Sequence, residues 1–102
     1  MSINEAEVVS AAIVAWTGRG VSSHPSRDEG RVVAALGEER ALTVLPVVFE
    51  LEREFYDSDA THTTADLAAM GTVAASQFRL AHPEISVEAV EALTWCYTFD
   101  YK

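Results

Sequence analysis

TTADLAAMGTVAASQFRLAHP, residues 63 to 83, is the stretch that decides the fold class. Leu67, Met70, Ala74, Phe78 and Ala81 recur at three- and four-residue intervals, which is the period of one face of an α-helix. Thr63 stands in cap position with Asp66 three residues on, the spacing of a capping box. Pro83 ends the segment, since proline lacks the N–H a continuing helix needs and biases the residue before it toward extended backbone. Gly71 and Ala75 lie four apart, so the spacing predicts a neighbouring helix passing close at that point.

Outward from this segment the same signals repeat. Toward the C-terminus, Ser86 caps a helix running to about Thr98, with Ile85 and Val90 placed as a hydrophobic staple. Toward the N-terminus, Val44, Val48, Leu51 and Phe55 make one face of a helix from Thr43 to about Tyr56. Its start is set at Thr43 because Pro46 then falls in the first turn, where a missing N–H costs nothing. A short helix from Ser26 to Leu36 has Ser26 and Glu29 at capping-box spacing and Gly37 at its end. A first helix from Ser2 to about Thr17 carries Val9, Ala12, Ile13 and Trp16 on one stripe and stops at Gly18. Gly18 to Pro25 reads as a loop, and Gly18-Arg19-Gly20 as a hinge or linker, because no strand precedes it as a phosphate loop requires. The expectation is an all-α protein: a compact single-domain bundle of four to five helices covering residues 1–102.

One segment is ambiguous. Trp95, Tyr97, Phe99 and Tyr101 alternate with Cys96, Thr98 and Asp100, a period of two laid over the end of a helical period. No second strand is available to pair with it, so helix to about Thr98 followed by an extended aromatic tail is expected. Trp95 would enter the core, and Phe99 and Tyr101 would be docked or shared.

At 102 residues, 49% hydrophobic and 23% charged, the chain has the size and apolar content for one core without disulfides or metal staples. Its single Cys96 lies among Leu93, Trp95 and Tyr97 and is expected to be a buried, unreactive thiol in a reducing compartment. Met1 to Glu7 is acidic where a secretory signal is basic and then apolar, so a cytoplasmic protein is expected. The formal charge of −9 is uneven: residues 41 to 102 carry ten acids against three basic groups. Such a surface repels phosphate backbones and anionic lipid, which argues against nucleic acid and membrane as partners and leaves a basic protein.

The acids concentrate in Glu50, Glu52, Glu54, Asp57, Asp59 and Asp66, around Arg53 and His62. At 100° per residue Glu50, Glu54 and Asp57 share a narrow arc opposite Val48 and Phe55. Like charges at these spacings weaken a helix by a few tenths of a kcal/mol per pair, roughly, and Asp57 and Asp59 also meet its negative end. The arc reads either as a solvated face or as a binding surface for a basic partner, with Glu50, Glu54, Asp57, Asp59 and His62 as the binding residues. Glu52 points between Val48 and the pair Leu45 and Tyr56, so it flanks the core rather than the arc and is expected to be tied to Tyr56 or to an arginine of another helix, with a catalytic acid as the alternative. Asp57-Ser-Asp59-Ala-Thr61 begins like an EF-hand calcium loop, but His62 stands where glycine is required and Ala68 where a bidentate Glu is required, so no metal or other cofactor is expected. His24, His62 and His82 have no metal-ligand or triad spacing, and Ser22, Ser23 and Ser26 read as loop and cap residues.

The functional expectation is a small acidic protein-binding module, in concrete form an immunity or inhibitor protein that neutralises a basic partner such as a nuclease-type toxin. A metal-dependent or acid-base enzyme using the Glu52 to His62 segment is the alternative. A homodimer or larger homo-oligomer paired through the C-terminal aromatic segment is the second.

Overall fold

The computed structural model describes residues 3–58 and 66–101. Five helices follow one another: α1 (Ile3–Thr17), α2 (Glu29–Leu36), α3 (Glu38–Tyr56), α4 (Leu67–Ala81) and α5 (Val87–Asp100). The described residues contain no strand, so the protein is an all-α bundle, as the periodicities predict. One hydrophobic cluster draws on all five helices, with Ile13, Val32, Val48, Ala74 and Leu93 fully enclosed. No helix among the described residues is long and apolar enough to cross a membrane.

Two pairs of contacts orient α1 and α5. The Ser10 hydroxyl accepts the backbone N–H of Ser86 at 3.0 Å, and nine residues further along each segment the Arg19 guanidinium lies 5.4 Å from the centre of the Trp95 ring. The two helices therefore run side by side in the same direction. α4 returns antiparallel to α5 and crosses it at Gly71, where an added Cβ would come within 2.8 Å of Thr98 Cγ2 and 3.2 Å of Thr94 Cγ2. This is the close approach that the Gly71 and Ala75 spacing predicts.

Four boundaries differ from the sequence expectation. α2 begins at Glu29 rather than Ser26, because Asp28 takes the cap: its carboxylate accepts the Gly30 N–H at 2.8 Å. Ser26 is held outside the helix, its N–H donating to the Thr17 carbonyl at 3.1 Å while its own carbonyl accepts from Arg31. α3 begins at Glu38, five residues before Thr43, and carries Pro46 in its interior. Pro46 leaves the Leu42 carbonyl without its usual N–H donor, but both residues are exposed and Leu42 is 71% so; water can satisfy the carbonyl there. α4 begins at Leu67 and is capped by Asp66, whose Oδ1 accepts from the N–H groups of Ala68 and Ala69 at 2.9 and 3.2 Å. Thr63, the expected cap, lies outside the described residues. α5 runs helically to Asp100 with no extended tail, its last turn closed by the Tyr101 N–H donating to the Tyr97 carbonyl at 3.1 Å.

The segment between α1 and α2, read from the sequence as a hinge or linker, is tied back to the end of α1 by hydrogen bonds. Gly18 has a φ of 82° that favours glycine, and the Val21 and Ser22 N–H groups both donate to its carbonyl. Arg31 then closes the end of α1, donating to the Ala15 carbonyl at 2.8 Å and the Trp16 carbonyl at 3.2 Å. A cation placed on the last carbonyls of a helix meets the negative end of its dipole.

Candidate protein-binding face

α3 positions most of the residues that the sequence singles out. Its core side, Ala41, Val44, Leu45, Val48, Leu51 and Phe55, is buried. The 3.6-residue period then turns Glu39, Glu50, Glu54 and Asp57 outward, and all four are exposed. Glu50 pairs with Arg53 one turn on. Asp57 lies at the C-terminal end of the helix without an ion pair among the described residues. Glu54 reaches across to Nε2 of His82, whose Nδ1 lies 3.8 Å from Glu84, and the His82 ring leans on Phe78 with centroids 4.9 Å apart. Asp59 and His62 lie outside the described residues, as does the greater part of the calcium-like stretch. Among the described residues no three His, Cys, Asp or Glu side chains are grouped to hold a metal ion.

Glu52 is tied inward, as its position beside the core predicts, although its arginine comes from the segment before α2 rather than from a helix. Its Oε1 lies 2.6 Å from Arg27 Nε, and its Oε2 accepts the Trp16 indole N–H at 3.3 Å. Arg27 is the centre of this cluster. Its Nη2 also donates to the Tyr56 hydroxyl at 3.0 Å and to Asp100 at 2.9 Å, while the Tyr56 hydroxyl donates to the same Asp100 carboxylate. The cluster joins the α1–α2 segment to the C-terminal turns of α3 and α5. Partial burial works against the charge of Arg27, but its hydrogen bonds to Asp100 and Glu52 outweigh that and raise its pKa. Burial first, and then donation to Asp100, keeps the Tyr56 phenol protonated well above the usual tyrosine range. Cys96 is fully buried, and burial pushes its thiol up to about 11 against a small opposing pull from Arg27. A protonated, enclosed thiol is a poor nucleophile.

Arg27 and Asp100 are the cluster members that the sequence reading does not single out. The only signal for them is complementary: a half-buried Glu52 beside Tyr56 requires a cation, and six arginines were available to supply it. His24 stacks on Phe99 with centroids 6.2 Å apart and its Nδ1 lies 3.2 Å from Ser23 Oγ, while His82, the C-cap residue of α4, links α3 to the α4–α5 connection.

Comparison of the chain with protein-family models, with curated proteins and with solved structures finds no match.

Proposed function

We propose that this protein is a small acidic binding module that docks a basic protein partner along the outer face of α3. The observation that carries the reading is the exposure of Glu39, Glu50 and Glu54 on one 19-residue helix with Asp57 at its C-cap, where Arg53 offsets Glu50, together with the inward use of two further arginines, Arg27 and Arg31. Arg27 is bound to Glu52 and Asp100, and Arg31 to backbone carbonyls of α1 and of the segment after it. An acidic stripe whose acids outnumber its cations speeds encounter with a basic surface and discriminates against acidic ones, and salt screens both effects. A nuclease-type toxin has a basic substrate surface, so an immunity or inhibitor protein is the concrete form this chemistry favours, acting in the cytoplasm.

The test is quantitative cross-linking and capture from the native source, with wild type and the triple variant Glu50→Gln, Glu54→Gln, Asp57→Asn side by side. A basic protein captured by wild type at low salt, lost at high salt and lost with the variant is expected. The same proteins recovered with both forms, at both salt concentrations, would refute the reading.

A further inference from the structure

α1 has a second free side. Val9 and Trp16 face α3, whereas Ala11 and Val14, about half a turn away, form the floor of an open groove of about 940 Å3. Ala15 of α1 and Ala34 and Ala35 of α2 complete that floor, and the start of α5 forms one wall. Ala11, Ala34 and Ala35 are exposed. Alanine methyl groups make up most of this floor, with Val14 and the exposed Val21 as its larger apolar side chains, so a helix can lie close on it, about 8 to 10 Å between axes.

The ends of the groove carry opposite charge. Glu7, Glu84 and Glu88 gather at one end, where the Ser10 to Ser86 hydrogen bond brings α5 against α1. Arg19 stands at the other, beside Arg31, whose guanidinium is already held by the Ala15 and Trp16 carbonyls and lies 3.6 Å from Asp28. Glu7 and Glu88 have no ion pair among the described residues. Along α1, Glu7 and Thr17 are ten residues apart, or about 15 Å, enough for nearly three helical turns. A helix carries partial positive charge at its N-terminus and negative at its C-terminus. A guest helix running parallel to α1 would therefore meet complementary charge at both ends, and the antiparallel orientation would meet like charge at both.

From this floor and this charge asymmetry we infer that the groove receives an amphipathic helix of a partner protein, parallel to α1, with a small apolar stripe and Lys or Arg in its N-terminal turn. The mode is helix-in-groove recognition. It uses the opposite side of α1 from α3, so it stands or falls independently of the acidic face.

The probe is a displayed library of 16-residue amphipathic helices, selected on the full chain and then synthesised. Selected peptides should share the small apolar stripe with Lys or Arg in the first turn. They should bind at least tenfold more weakly to Ala11→Trp and to Ala35→Trp, and more weakly to Glu7→Gln with Glu88→Gln, while Arg79→Gln, at an exposed position of α4, leaves them unaffected. Both tryptophan positions are exposed, and matching thermal melts confirm that the variants fold; chemical-shift mapping of the wild type locates the peptide without any variant. Selection of no groove-dependent peptide, or of peptides with acidic first turns, overturns the inference. So does a wild-type dimer that Ala11→Trp dissolves, which would give the groove to a second copy of the chain.

Discussion

Gly71 and Thr98 touch so closely that a single methyl group on the glycine would stand 2.8 Å from Thr98 Cγ2. That methyl group on Thr98 cannot swing aside freely, because the Thr98 hydroxyl donates to the Thr94 carbonyl at 2.9 Å and a β-branched side chain has few rotamers in a helix. The two helices are locked together at this point by the absence of a side chain.

Gly71→Ala should therefore destabilise the fold by about 1 kcal/mol, although alanine is the better helix former by about that amount. In a Thr98→Ser background, which keeps the hydroxyl and removes Cγ2, the same change should be neutral or stabilising. Urea unfolding of the four proteins of this cycle measures the coupling, and additive effects would show that the crossing is not tight. Gly71→Leu should cost more than Ser76→Leu, which adds the same side chain at an exposed position of α4.

How far each feature was legible in the sequence follows from how local its cause is. The helices, the Ser86 cap and the close crossing at Gly71 rest on intervals of three or four residues and emerge from the sequence directly. The caps at Asp28 and Asp66 are masked in the sequence because Ser26 and Thr63 offer capping-box spacing nearby, and only its tertiary hydrogen bonds remove Ser26 from competition. Tyr97 belongs to a period of two on paper, but its ring is fully buried against Phe55, Tyr56 and Tyr101; packing overrode the strand signal. In the candidate site the exposed arc of Glu50, Glu54 and Asp57 was legible, whereas the Arg27 cluster was not. Its partners lie 25, 29 and 73 residues away, and no sequence interval encodes such separations.

The Arg27 cluster should behave as one unit. Arg27→Ala leaves Glu52 and Asp100 without their shared cation in a half-buried setting, and about 1 to 2 kcal/mol of stability should be lost. Tyr56→Phe removes the hydrogen bond to Asp100 and should cost about 1 kcal/mol. The double variant should lose less than the sum, since both changes act on the same carboxylate. Denaturant midpoints test this, and strict additivity would mean that the hydrogen bonds contribute separately.

Stability should decline at alkaline pH. The folded-state pKa values of Tyr56 and Cys96 are both raised, so the folded chain holds protons that the unfolded chain releases. For Cys96 the contribution is complete below its ordinary 9.0 and is lost as pH rises toward about 11. That rise corresponds to about 3 kcal/mol. Cys96→Ala should flatten the fall in denaturation free energy between those two values, and Tyr56→Phe should reduce the loss at higher pH. A wild-type stability that stays level from pH 8 to 11 would contradict both shifts.

Pro46 gives the last prediction. It occupies the ninth position of a 19-residue helix, on the exposed side, and removes the N–H that would reach the Leu42 carbonyl. In a helix interior proline is disfavoured relative to alanine by about 3 kcal/mol. Part of that is offset because proline also restricts the unfolded chain, an effect of about 0.4 to 1 kcal/mol, and water can occupy the freed carbonyl. Pro46→Ala should therefore raise stability by about 1 to 2 kcal/mol, and hydrogen exchange at the amides of the 42–50 segment should slow. Helical content should stay unchanged if α3 already runs unbroken from Glu38, whereas a helix that starts at Thr43 would lengthen on substitution and show it in the circular dichroism spectrum.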